Sequence, residues 1–296
     1  MYKCAKLYFE CFRMTVINRY KPIILDFFAG VGCYFTVAEI LSVEALFNTD
    51  IGYTIIRSFW SIPIAAFILF IAVWKNWIGI KYSCSIANTD VKITLQIGNI
   101  FDGDGAIIIP VNTSFDTSTA DGTVKTHSIQ GQFQELYFKR KIEKLNEQIK
   151  YGLKNIDMYY SGERNLYPIG TTCKVIAGNK QFYLLAAANS NVHGNLSVTP
   201  SEISSALTSL WKNIHIIGDG ETLLIPLIWT GRAGIQDAQR DKITREIISS
   251  FVAATYNIKP TEKLIIYINP TDIINKTIDW NSICDYLKYV CTFYPV

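Results

Sequence analysis

The sequence predicts an α/β protein in two parts: an N-terminal two-helix transmembrane hairpin, then a three-layer α/β/α domain on a mixed sheet. Three observations predict it. Residues 58–74 (SFWSIPIAAFILFIAVW) run for seventeen positions without a charge. Beyond residue 91, five short apolar runs rich in Ile, Val and Leu read as strands covered on both faces. Helix-length patterns lie between those runs, the alternation that builds layered sheets.

The second span comes first in the argument because it is the clearer. Residues 58–80 stay apolar apart from Lys75 and reach roughly 34 Å as a helix, against a hydrocarbon core of about 30 Å. Trp60, Trp74 and Trp77 near its ends suit the aromatic belt, and Pro63 falls early, where a helix tolerates it.

The first span, residues 22–47, is marginal. Its thirteen Ile, Leu, Val and Phe residues favour insertion by about 6 kcal/mol together. Glu39 near the middle, with Asp26 and Glu44 toward the ends, removes most of that gain. Glu39 therefore reads either as a water-accessible acid or as part of a polar seam between helices or subunits. Gly30, Gly32, Ala29 and Ala38 would allow close helix approach.

Charge sets the orientation. Lys3, Lys6, Arg13, Arg19 and Lys21 precede the first span, Lys75 and Lys81 end the second, and the connection 48–54 holds only Asp50. The positive-inside rule then puts both termini on the cytoplasmic side of a multi-pass protein in the bacterial plasma membrane. Residues 1–21 read as an interfacial helix or a solvated tail. The 8 basic and 5 acidic residues of 1–81 carry the whole excess of 28 over 25, so residues 82–296 are neutral and argue against nucleic acid.

Seven scattered cysteines without a C-x-x-C pair exclude a disulfide framework or a zinc module and read as reduced thiols. A signal peptide is excluded by the length of the first apolar run and by the second run after it.

After a short polar linker, Lys81–Asp90, strands are predicted at 91–97, 105–111, 182–188, 222–228 and 263–268. Helices are predicted at 133–152, 201–214, 237–256 and 279–293; Pro200, Ser201 and Glu202, and separately Asp237, are start signals. The domain boundary falls between residues 81 and 82.

In such sheets ligands bind beyond the carboxyl ends of strands. Five segments qualify: GNIFDGDG (98–105), NTSFDT (112–117), HSIQGQF (127–133), WTGRAGI (229–235) and NPTD (269–272). Four directly follow a predicted strand. In WTGRAGI, Gly231 and Gly234 permit the close backbone approach by which a pyrophosphate is cradled; an ordinary tight turn is the other reading. There is no Walker motif and no strand-following G-x-G-x-x-G. Asp102-Gly-Asp104-Gly opens like a calcium loop, but Thr113 stands where its Glu is needed. His127, His193 and His215 have no metal-ligand spacing, and no catalytic constellation or cofactor motif is found.

On these residues the chain resembles the macro domain family, which binds ADP-ribose and its derivatives. The resemblance covers about residues 91–293. It rests on Gly98-Asn99-Ile100 for the family's G-D-I turn, IIIPVN ending at Asn112, a first glycine loop around Gly131, and a phosphate loop at Thr230–Ile235. The wording IIIPVNTSFDT, HSIQGQF and PLIWTGRAG, behind two spans, is similar to the membrane-anchored macro effectors of Thoeris antiphage systems.

That resemblance implies a signal-gated effector. A TIR-domain partner makes an ADP-ribose-derived messenger such as histidine-linked ADP-ribose; the macro domain senses it, and a homo-oligomer disrupts the lipid bilayer. Carried over, Asn99 and Ile100 meet the adenine end, and Asn112 lines the distal ribose. Ser128, Gln130, Gly131 and Gln132, with Thr230, Gly231, Arg232, Ala233, Gly234 and Ile235, clamp the diphosphate, while Asn269 and Pro270 border the adenosine. Asn99 replaces the usual Asp, Phe115 stands where hydrolytic relatives have a second asparagine, and the first loop lacks a glycine run. These departures favour binding over catalysis. Asp116 reads either as a sensor of a cationic or amine group on the ligand or as a turn residue with Thr117. The competing reading is a membrane-tethered ADP-ribosyl hydrolase using Asn112 and a loop water.

Overall fold

The computed structural model describes residues 2–41, 61–119, 123–161, 164–190, 196–229 and 240–293, in two compact units, Met1–Ile80 and Lys81–Val296.

In the first unit, helix α1 (Tyr2–Leu41) kinks at Arg19, where φ is −120° and ψ 23°. Pro22 is the cause within reach: it has no N–H for the carbonyl four residues back. Helix α2 (Ser61–Lys75) runs antiparallel to α1, since Asp26 meets Lys75, Gly30 faces Ile68 and Tyr34 meets Ser61. A Cβ on Gly30 would stand 2.5 Å from Ile68 Cγ2, so this glycine does set the approach; Gly32 faces open space.

The polar seam between these helices differs from the expected one. Asp26 receives Lys75 Nζ at 2.7 Å and Asn76 Nδ2 at 2.7 Å, and Arg19 Nη1 donates to Asn76 O at 3.3 Å. Glu39 lies exposed on α1, because Ala38 beside it takes the buried position. The second helix also stops short of residue 80. Asn76 folds back on Ala72 O, and the Ile78 N–H goes to Thr15 Oγ1 at 3.0 Å instead of continuing the helix. Among the described residues one helix, Tyr8–Ile40, is long and apolar enough to cross a membrane; Ser61–Lys75 is apolar but reaches only about 22 Å. Leu25, Phe28, Phe35, Ile62, Phe67, Phe70 and Trp74 are exposed, the reverse of a water-soluble helix pair. Residues 42–60, with Glu44, Asp50 and the start of the second predicted span, lie outside the described residues.

The second unit holds the mixed sheet and a separate two-stranded hairpin. Its strands are β1 (Lys81–Ser85), β2 (Lys92–Ile97), β3 (Ala106–Asn112), the hairpin β4 (Tyr159–Ser161) and β5 (Arg164–Leu166), β6 (Thr172–Ala177), β7 (Lys180–Ser190), β8 (Leu196–Ser197), β9 (Leu223–Pro226) and β10 (Lys263–Ile268). Spatial order is β1-β2-β10-β9-β3-β7-β6, with β8 on β7. The five strands β2, β10, β9, β3 and β7 are mutually parallel, and β1 and β6 pair antiparallel at the edges.

Both alternate sets of side chains are buried, as parallel strands covered on two faces require. One set, with Ile107, Ile109, Val111, Phe182, Leu184 and Tyr267, packs on helices α3 (Ile129–Phe138) and α4 (Ile142–Leu153) through Phe133, Phe138, Leu145, Ile149 and Leu153. The other faces α5 (Pro200–Ile217), α6 (Arg240–Asn257) and α8 (Trp280–Phe293), where Trp211 meets Phe251 edge-on at 5.1 Å.

Three expectations change. Lys81–Ser85 is an edge strand, not a linker, because it finds free β2 backbone alongside. The single helix expected at 133–152 is two: the chain breaks at Lys139-Arg140-Lys141, which lets Phe138 and Leu145 both turn into one core. Strand β6 and the β4–β5 hairpin are additions whose alternation is too short or too polar to read. Of the helix expected at 237–256, α6 is described from Arg240.

Helix α5 starts as predicted. Thr199 caps it, and Glu202 closes the box by accepting the Thr199 N–H at 2.6 Å. That backbone bond, aided by the Thr199 hydroxyl and Asn189, holds the Glu202 carboxyl below its ordinary 4.5. Its stabilisation is therefore complete above pH 4.5 and lost as pH falls through the lowered folded value. Glu202→Ala is expected to cost about 1 kcal/mol at pH 7 and progressively less below pH 4.5, read from urea unfolding at pH 7 and pH 3.5.

Candidate functional site

Because five neighbouring strands are parallel, their carboxyl ends share one edge of the sheet. That edge receives residues 98–102 after β2, 113–119 after β3, 227–229 after β9 and 269–274 after β10. Three of the five loop segments predicted to hold ligand, and the first residue of a fourth, Trp229, are thus assembled there by topology. The fifth arrives by a side chain: Gln130 Nε2 donates to Asp116 O at 2.6 Å.

Beyond β2, Asn99 caps a short 3₁₀ turn, Ile100–Asp102, accepting the Phe101 N–H at 3.1 Å, while Ile100 is buried beneath. Asn99 itself is exposed. Beyond β10, Asn269 accepts the Thr271 N–H at 3.0 Å and starts α7 (Pro270–Ile274) with Pro270 in the first turn. Asp272 in that helix is buried and pairs with Arg240 at the start of α6.

Beyond β3 lies a closed polar ring. Asn112 Nδ2 donates to Asp116 Oδ2 at 2.9 Å, the Asp116 N–H returns to Asn112 Oδ1 at 3.0 Å, and Ser114 Oγ donates to the same Oδ2 at 2.6 Å. The loop turns on Phe115, whose φ of 53° is in the left-handed region and whose buried ring meets Tyr167 edge-on at 5.6 Å. Phe115 is thus a packing residue, not a surface for ligand. Asn112 is also occupied: its amide oxygen and one amide hydrogen are both committed to Asp116.

The first glycine loop is tight. Ser128 caps α3, accepting the Gly131 N–H at 3.0 Å and donating to Lys125 O at 2.6 Å. A Cβ on Gly131 would lie 2.2 Å from Lys125 O and 2.7 Å from Thr126 Cα, so only glycine lets the chain close. Gln132 Nε2 donates to His127 O at 3.0 Å.

Thr230, Gly231, Arg232, Ala233, Gly234 and Ile235 lie outside the described residues; the chain is described up to Trp229. Trp229, which sequence reasoning did not single out, is buried with φ at 65°, and its indole N–H donates to Ala187 O at 2.5 Å. A large aromatic placed directly between a strand and a glycine turn was the available signal. Arg240 with Asp272 was also missed, since the pair is long-range and no periodicity marks it. Among the described residues no group of His, Cys, Asp and Glu could hold a metal ion.

The family model of the Thoeris protein ThsA macro domain matches residues 93–269, more than half of the chain. Among solved structures, a variant macrodomain from Oceanobacillus iheyensis is similar at 10% identity and TM-score 0.48, covering 72% of this chain and 95% of that one. A second variant of it, with ADPR, gives 10% and 0.47, covering 70% and 98%. The macrodomain of Mycobacterium tuberculosis DarG gives 17% and 0.40, covering 59% and 96%. No curated protein matches the chain.

Proposed function

The chain belongs to the Thoeris ThsA macro-domain family, and on that premise we propose that it is a signal-gated membrane effector of antiphage defence. Its macro domain binds an ADP-ribose-derived messenger, such as histidine-linked ADP-ribose, supplied by a TIR-domain partner. The observation that carries the reading is the gathering of loops 98–102, 113–119 and 269–274 at one sheet edge, with Gln130 tying the first glycine loop to them.

In this reading Asn99, Ile100, Asn269 and Pro270 frame the adenosine, and Ser128–Gln132 with Thr230–Ile235 clamp the diphosphate. Asn112 and Asp116 stand at the distal end, as a rigid pair that shapes the pocket. The departures at Asn99, Phe115 and the first loop support binding over hydrolysis.

The exposed apolar faces of α1 and α2 support membrane insertion, with both termini cytoplasmic. Messenger binding drives oligomerisation of the chain and disruption of the bilayer. Moving such an equilibrium from 1:99 to 99:1 needs about 5.5 kcal/mol of differential affinity, within reach of several diphosphate contacts plus subunit association.

Two measurements test this. Calorimetry of the detergent-solubilised chain should show stoichiometric binding of ADP-ribose or its amino-acid conjugates without turnover; release of ADP-ribose from a conjugate would favour the hydrolase. Dye leakage from liposomes carrying the chain should follow added messenger and be abolished in Gly231→Glu, which puts a carboxylate where the diphosphate sits. Undiminished leakage from that variant refutes the role of the loop.

A further inference from the structure

We propose that the arm of α1 ahead of its kink, residues 8–18, does not cross the bilayer but lies along its cytoplasmic surface. It docks there on anionic phospholipid through Tyr8, Phe9, Phe12 and Val16, with Tyr20 just past the kink. The proposal rests on the membrane reading of α1 and α2 and is independent of the messenger.

Length makes the first point. As one straight span, Tyr8–Ile40 would reach about 50 Å, well beyond a hydrocarbon core of about 30 Å. The kink at Arg19 divides it, and residues 20–40 alone reach about 31 Å. Polar groups mark where the hydrocarbon ends. Arg19 donates to the Asn76 carbonyl, and Lys75 and Asn76 donate to Asp26. Such a set is costly deep in hydrocarbon and ordinary at its boundary. Exposed Tyr20 and Trp74 stand next to Arg19 and Lys75, as aromatic residues do at that level. Whether the boundary is drawn at Arg19 or at Asp26, residues 8–18 fall outside it.

The faces of the arm make the second. Cys11, Met14 and Thr15 are fully buried, and on that side the chain leaving α2 packs, its Ile78 N–H donating to Thr15 Oγ1 at 3.0 Å. Tyr8, Phe12, Val16 and Tyr20 recur at every fourth position and, with Phe9, are 40–65% exposed. At about 100° per residue they share one side of the helix, and it stays open among the described residues of the first unit. Glu10 and Arg13 lie off that side, paired at 4.0 Å.

Position and charge select the occupant. The four-residue series continues past the kink in Ile24 and Phe28, also exposed, so the open side of the arm runs into the lipid-facing surface of the span. A surface that meets acyl chains beyond the kink meets headgroups before it. Residues 1–21 carry five bases, Lys3, Lys6, Arg13, Arg19 and Lys21, against the single acid Glu10. An apolar helix side flanked by bases favours an anionic leaflet.

The test uses the unaltered full chain, one copy per nanodisc of phosphatidylcholine and phosphatidylglycerol, so that no second copy can cover the arm. Two photolabels are compared by mass spectrometry: phosphatidylglycerol with a diazirine on its headgroup, and the same lipid with the diazirine at its acyl end. The headgroup label should mark residues 8–18. The acyl label should mark residues 27–40 and give about tenfold fewer adducts on 8–18. Equal acyl labelling of the two segments puts the arm inside the hydrocarbon and overturns the docking. Absence of both labels from 8–18 overturns it as well, because water or protein then covers the stripe. If the acyl label reaches neither 27–40 nor α2, the membrane reading falls and the docking falls with it. Lipid charge is read by moving the headgroup diazirine to phosphatidylcholine, which should lower adducts on the arm about threefold. Equal yields overturn the choice of an anionic partner.

Discussion

Arg240→Met is expected to destabilise the second unit by about 3–5 kcal/mol, the cost of breaking a buried ion pair by removing one member. The Asp272 side chain is 9% exposed and that of Arg240 19%, so water cannot replace the lost cation. Asp272 is also a structural node. Its carbonyl accepts the N–H groups of Thr277 and Ile278 and the Thr277 hydroxyl. Loss of the pair therefore loosens the turn after α7 together with the start of α6. For a domain of this size the drop in Tm should be roughly 10 °C, measured by thermal unfolding in detergent. The double variant Arg240→Met/Asp272→Leu should recover much of the loss, because the buried anion is removed along with its cation. A single-variant Tm within about 2 °C of the wild type would show that the pair is solvated and dispensable.

Gly131→Val is expected to abolish measurable ADP-ribose binding while leaving the sheet intact. The obstructing atoms are backbone, Lys125 O and Thr126 Cα, so no side-chain rotation relieves the clash. The turn 125–128 must move, at about 1–3 kcal/mol for the overpacking. Ser128 and Gln130 move with it, and Gln130 is the side chain that ties this loop to Asp116. A loss of at least 100-fold in affinity by calorimetry, with circular dichroism unchanged, is the expected pair of results. Binding within threefold of the wild type would mean that this loop does not contact the ligand.

The readable parts of this protein were those with a short-range cause. Ile107–Ile109, Leu184–Ala187 and Leu264–Ile266 announced parallel strands because burial on both faces demands unbroken apolar runs. Pro200, Ser201 and Glu202 announced a helix start because such signals act within one turn, and the structure adds Thr199 as the cap. Gly131 announced a glycine loop, whereas the helix begins at Ile129 and Gly131 stands in its first turn, close against the Lys125–Thr126 backbone. Polar or brief segments gave no such signal. Lys81–Ser85 alternates too weakly to be told from a linker, and it becomes a strand only because β2 lies alongside. The break at Lys139–Lys141 sits inside a pattern that favours one helix, and the shared core of Phe138 and Leu145 overrides it. Asp26, not Glu39, became the polar centre of the helix pair because Lys75 and Asn76 stand opposite it, which one helix's sequence cannot reveal.

By itself the sequence determined the two-part division of charge and hydropathy, the strand and helix alternation, and the glycine-bearing loops, since each depends on composition or on neighbours within a few residues. Only the tertiary structure decided that four strand-end segments share one edge, that Asn112 spends its amide on Asp116, and that Trp229 reaches across β3 to Ala187. The physical reason is separation along the chain. Such contacts join residues that no local preference links, and they form only when strand order and register bring their ends together.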